Sequence, residues 1–310
     1  MRSWTTTGRI ILTMRVTLHE TTRLDYAADS LAGLSVGDSL GAQYFAPGRK
    51  VGVIPPPVWE WTDDTEMACS VVWMLHEAGH IDPDRLAVAF ADRCEPYRGY
   101  GAGAFVILHN IRKGTHWAVA AAEVFDGEGS CGNGAAMRVA PLGAYFAGSL
   151  SKAVSEAEVS AKVTHAHPEG VAGAIAVAVA ACHAASARFA GERPSARRFL
   201  EAVAVSTPDG VVKRGLNRAL RMPSVSIAEA AYELGSGGEV TAQDTVPFTI
   251  WVAARHLDDY PSAVLSCIEA GGDIDTTGAI VGGIVGAFVG RPGIPQDWLA
   301  AREPLPDWLP

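Results

Sequence analysis

GGDIDTTGAIVGGIVGAFVG, residues 271–290, is the stretch whose reading decides the fold. From residue 277 onward it carries no charge, and Gly278, Gly282, Gly286 and Gly290 recur at every fourth position, along one side of a 3.6-residue helix. A side made of glycines lets a second helix approach to backbone distance. The stretch therefore predicts a helix deep in an α-helical core, which holds the acidic loop at its start inside the molecule as well. In that loop Asp273 and Asp275 lie two apart between glycines, so alternating extended residues point the same way. Asp275 is also an acceptable N-cap for the helix.

The rest of the chain agrees with a helical fold. Helical spacing of apolar residues recurs over 26–34, 65–78, 83–90, 118–124, 134–146, 152–163, 168–187, 197–205, 211–221, 227–234, 245–257 and 260–270, and no segment alternates with period two. Residues 47–57 form a Gly/Pro loop ending in three prolines. The expected architecture is all-α: one compact multi-helix domain over residues 23–310. Residues 1–22 are expected to be an N-terminal extension, either disordered or an over-extended reading frame with Met14 as the start. The 310 residues are 48% hydrophobic and 19% charged, enough apolar material for a large core. With 25 basic against 34 acidic residues the formal charge is -9, which disfavours a broad nucleic-acid surface. Segments 170–187 and 277–290 are apolar, but they read as buried helices rather than membrane spans. Five scattered cysteines without a CxxC pair, and no signal-peptide core, lead us to expect a cytoplasmic protein.

A second acidic helix start is Trp61-Thr62-Asp63-Asp64-Thr65-Glu66. As a cap it needs one side-chain oxygen, from Thr62 or Asp63, and Glu66 in a capping box. That leaves a hydroxyl and a carboxylate without a structural task. Two readings stand: twin capping motifs, or hard-cation ligands such as Mg2+ and Mn2+ prefer, since oxygen-only donors suit those ions and clustered carboxylates repel one another without them. Ser130-Cys131-Gly132-Asn133-Gly134 is likewise either a glycine turn with an N-cap or an anion site at a helix start. His165 and His167 flank Ala166 ahead of Pro168, as caps, packed core residues or ligand contacts. Trp59 and Trp61 fit a cleft wall or the edge of a core.

WTDDTEMA (61–68) and GGDIDTTGA (271–279) together resemble the ADP-ribosylglycohydrolase family, which includes dinitrogenase-reductase-activating glycohydrolases. GDSLGA (37–42), SCGNGAAMRVAPLGAY (130–145) and THAHPEGVAGA (164–174) add three further matches in the family's order, spanning roughly residues 24 to 300. The resemblance implies two Mg2+ or Mn2+ ions on Thr62, Asp63, Asp64, Asp273, Asp275 and Thr276. It implies ADP-ribose contacts from Ser130, Gly132, Asn133, Gly134, Ala135, Met137 and His165, with Tyr100 and Gly101 in a shorter match. The implied reaction is hydrolysis of the bond joining ADP-ribose to an acceptor, probed at Asp63, Asp64 and Asp275 as catalytic residues. Arg138 is expected to pair with an acid.

One position departs from the pattern. Many family members carry a Glu shortly after the GDxxG motif, where this chain has Phe45, and Glu60 is the nearest acidic substitute. This leaves Asp64 or Asp275 as the base, a changed linkage preference, or a catalytically silent ADP-ribose-binding member. A metal-dependent phosphoesterase is the remaining alternative.

Overall fold

The structure, a computed structural model, describes residues 19–310. Among these residues fifteen α-helices follow one another: α1 Glu20–Ala42, α2 Asp63–Ala78, α3 Pro83–Arg93, α4 Ala102–Arg112 and α5 Trp117–Glu123. Then come α6 Ala140–Tyr145, α7 Leu150–Lys162, α8 Pro168–Ala190, α9 Ala196–Ser206 and α10 Val211–Ala219. The chain ends with α11 Ile227–Leu234, α12 Ala242–Arg255, α13 Tyr260–Ala270, α14 Ile274–Val289 and α15 Gln296–Ala301. Among the described residues there is no strand, only isolated bridges joining Trp59 to Arg302 and Gly132 to Thr241. The expected extension lies outside the described residues except for 19–22, and Glu20 already starts α1.

The glycine pattern does what its spacing predicts. α1 and α14 pack along most of their length, and a Cβ on Gly278 would stand 2.5 Å from the Gly37 carbonyl. Gly282 meets Gly33 in the same way, and Gly286 meets Asp29 and Gly33. Ser30 Oγ donates to Gly283 O at 2.8 Å, and Tyr260 OH, from α13, donates to Gly33 O at 2.6 Å, so both of these hydroxyls at the seam are partnered. α8 is long and apolar enough to cross a membrane, but 83% of its apolar window is buried against neighbouring helices, including α6, α7 and α14. It is a core helix.

One local expectation needs correcting, and two helices lie where none was expected. Segment 134–146 is not one helix: Asn133–Ala135 forms a 3-10 turn and α6 starts only at Ala140. Pro141 has no N–H to give Met137 O, so a continuous helix would lack that rung. α4, with Gly103 and three β-branched residues, carries a weak helical signal and forms because Ile107 and Leu108 bury against the core. α15 is a short helix that the periodicity does not reveal.

Candidate active site

The end of α1 and the starts of α2 and α14 converge. A Cβ on Gly41 would stand 2.6 Å from Ile274 O, so glycine there lets the two helix ends meet. Carboxylate oxygens of Asp38, Asp64 and Asp275 lie within 4.8 Å of one another. Asp38 is fully buried, and both its oxygens are occupied: Oδ1 accepts Thr62 Oγ1 at 2.8 Å, and Oδ2 accepts Thr62 N at 3.0 Å, Thr65 N at 3.1 Å and Thr65 Oγ1 at 2.5 Å. Asp38 therefore holds the Thr62–Thr65 loop in place. Asp64 differs: its Oδ2 lies 3.0 Å from that same Thr62 hydroxyl, while its buried Oδ1 has no hydrogen-bond partner among the described residues.

Burial and mutual repulsion raise these carboxyls. Asp38 is pushed up to about 6 mainly by burial, Asp63 to about 7 by burial and then Asp38, and Asp275 to about 8 by burial and then Asp273. Asp64 is raised well above its usual value by burial, then by Asp38 and Asp275. An unpaired buried oxygen in an all-oxygen acidic cluster is the donor set that hard divalent cations prefer, and these residues fit such ions. The capping expectations are adjusted accordingly. Thr62 is the N-cap of α2, but Glu66 makes no capping box, because its carboxylate accepts Tyr100 OH at 2.5 Å and Glu95 N at 3.1 Å. Asp273, not Asp275, sits at the N-cap position of α14, and Asp275 Oδ1 accepts Thr276 N at 2.8 Å.

Above these acids opens a cleft of about 770 Å3, within the usual size of small-molecule sites. Asp63, Asp64, Asp273, Asp275 and Thr276 line one part of it, and Ser130–Gly134, Met137, His165 and His167 another. Phe125 and Val240 line it too, both non-glycine residues at positive φ (56° and 54°) and both exposed. Strain of this kind persists where surrounding contacts impose it, and it gathers at functional sites. Val240 is held by its N–H on Gly237 O at 2.8 Å and by Asn133 N on its carbonyl at 3.2 Å. The glycine loop is therefore less open than expected, since Gly132 N–H also turns inward, to Ser130 Oγ at 3.1 Å. Asn133 Nδ2 donates to Asp273 Oδ2 at 2.7 Å and to Thr245 Oγ1 at 3.1 Å, joining the glycine loop to the acidic centre.

The ADP-ribosylglycohydrolase family profile matches residues 19–310. The chain belongs to the ADP-ribosylglycohydrolase family. It is 32% identical to ADP-ribosylhydrolase ARH3 of Homo sapiens, with 88% of each chain covered. It is 27% identical to the ADP-ribosyl-[dinitrogen reductase] glycohydrolase of Rhodospirillum rubrum, with 90% of each covered. A solved structure, an ADP-ribosylglycohydrolase-related protein complex, superposes with a TM-score of 0.63 over 91% of this chain and 94% of that one, at 24% identity. That likeness is one of fold.

Within this ADP-ribosylglycohydrolase fold, most of the residues implied by the motifs gather at one cleft. Thr62, Ala135 and Tyr100 stand behind its wall, Tyr100 being tied to Glu66 while its neighbours Gly99 and Gly101 face the cavity. Among the described residues Arg138 pairs with no acid. It is fully buried, donates to Gly134 O, Ser160 O and Thr164 Oγ1, and lies over the Phe90 ring. Phe45 is 54% exposed, and neither it nor Glu60 lines the cleft. Trp59 and Trp61 are buried against the C-terminal segment instead of walling the cavity. Asp38 and Phe125 escaped the sequence reading. An acid in the otherwise uncharged stretch 30–42 was the available sign for Asp38, whereas nothing in the turn around Phe125 marks it.

Proposed function

We propose that this ADP-ribosylglycohydrolase cleaves the glycosidic bond between ADP-ribose and an acceptor, a protein side chain such as arginine or serine, and so reverses ADP-ribosylation. The observation that carries this reading is the unpartnered, buried Asp64 Oδ1 in an acidic cluster that opens on a small-molecule cleft. Thr62, Asp63, Asp64, Asp273, Asp275 and Thr276 would hold two Mg2+ or Mn2+ ions, which supply Lewis-acid charge at the sugar when bound. Asp64 and Asp275 line the cleft, and one of them would take the proton of the attacking water. The buried Arg138 cation behind Gly134 offsets the acidity of the cleft and favours a diphosphate. Phe125 offers an aromatic face to a nucleobase. The free state of all five cysteines supports a cytoplasmic setting.

The test incubates purified protein with ADP-ribosylated arginine, serine and nucleic-acid substrates, with Mg2+ or with EDTA. Metal-dependent release of ADP-ribose from a protein side chain is expected. Tight ADP-ribose binding without release would identify a silent member, the reading that Phe45 favours. Cleavage of generic phosphate esters without ADP-ribose release would overturn both.

A further inference from the structure

Arg138 is a buried cation with no salt-bridge partner among the described residues, and what it touches leads to the cleft. Its Nη2 donates to Thr164 Oγ1 at 2.9 Å, and Thr164 Oγ1 lies 2.8 Å from His165 Nδ1. All three side chains are buried. The other edge of the imidazole faces the glycine loop: a Cβ built on Gly134 would stand 3.2 Å from Nε2, and one on Gly132 3.4 Å.

The direction of the first bond is fixed, because a guanidinium has only donors. Thr164 Oγ1 therefore accepts from Arg138 and has a single proton of its own to place. Among the described hydrogen bonds the only other partner of that oxygen is His165 Nδ1. If Nδ1 carried the proton, the threonine hydroxyl would accept twice and its own hydrogen would be left unpaired in the interior, an arrangement buried polar groups avoid. Burial and the Arg138 charge push His165 down to about 3, so the ring is neutral and must choose one tautomer.

We propose that Arg138 and Thr164 act as a relay that sets the tautomer of His165, placing its one proton on Nε2 as a donor aimed into the cleft beneath Gly132 and Gly134. The donor would meet an oxygen of the ADP-ribosyl group, in which respect the inference rests on the function proposed above. Arg138 and Thr164 are positioning residues here: they act through His165 and need not touch the ligand.

The wild-type protein, without ligand, is labelled with 15N-histidine and read by long-range 1H–15N correlation, His165 being identified by the signal missing from His165→Gln. A bare Nδ1 and a protonated Nε2 are expected. Thr164→Val should let the two tautomers mix and weaken ADP-ribose binding by about tenfold in calorimetry. Thr164→Ser should restore both the spectrum and the affinity. A protonated Nδ1 in the wild type overturns the relay, whether or not Thr164→Val folds, and so does a Thr164→Val spectrum identical to the wild type. The spectrum is recorded on the free protein, so a wild type that shows the expected tautomer yet fails to bind ADP-ribose overturns the proposed function and leaves the relay standing.

Discussion

At the scale of single residues, the acidic centre divides its work between carboxylates with free oxygens and one whose oxygens are already taken. Asp38 accepts from Thr62 and Thr65 on both oxygens. Asp38→Asn should therefore disorder the Thr62–Thr65 loop and lower Mn2+ affinity by about 10- to 100-fold, measured by calorimetry, as loss of the groups that orient ligands usually does. Asp275→Asn and Asp63→Ala should each abolish ADP-ribose release while the helical circular dichroism is retained; unchanged turnover in both would remove the assignment. Phe45→Ala should leave turnover within about twofold, because an exposed surface substitution away from the cleft costs little. The sequence made Asp63, Asp64, Asp273 and Asp275 legible because capping alone could not employ so many oxygens. Asp38 stayed hidden: its partners, Thr62 and Thr65, lie across a long stretch of chain, and spacing says nothing about contacts of that kind.

At the scale of elements, two helices that touch through glycine bring the acids together. Gly41→Ala would put a methyl 2.6 Å from Ile274 O and 2.8 Å from Asp275 Cα. Overpacking of this sort costs about 1–3 kcal/mol, and the variant should show a lower Tm together with weaker Mn2+ binding. The same meeting of helix ends makes stability depend on pH. Asp38, Asp63 and Asp275 titrate at about 6, about 7 and about 8 when folded, against an ordinary value of 3.8. A carboxyl raised by folding contributes stability that is fully present below 3.8 and is lost as pH rises through the folded value. In EDTA, Tm should fall between about pH 4 and about pH 8, and Asp275→Asn should flatten the fall. Mg2+ should restore more stability at the upper end of that range, because its ligands must be deprotonated. The glycine repeat of α14 could be read directly, since a four-residue spacing of glycines has few other uses. The 3-10 turn at Asn133–Ala135 could not, because it depends on Asn133 reaching Asp273 and Thr245 from another part of the chain.

At the scale of the whole molecule, the acidic loop at residues 61–65 is held from behind by the C-terminal segment. Arg98, 7% exposed, donates to Glu303 through both terminal nitrogens, at 2.7 and 3.0 Å, and to Trp61 O at 2.9 Å. Glu303 N–H bonds Trp59 O at 2.8 Å, and Trp61 Nε1–H bonds Pro304 O at 3.2 Å. Glu303→Gln should loosen residue 61 and raise the Mn2+ dissociation constant by about tenfold, while the helical signal in circular dichroism stays intact. Composition and periodicity were enough for the all-α class. The task of Trp59 and Trp61 was not legible, because it depends on a partner 242 residues away. That separation has a consequence for synthesis. A nascent chain that has not yet reached Glu303 would carry every carboxylate of the centre and still lack the brace that sets their loop, so competence would arrive only once that residue has been translated.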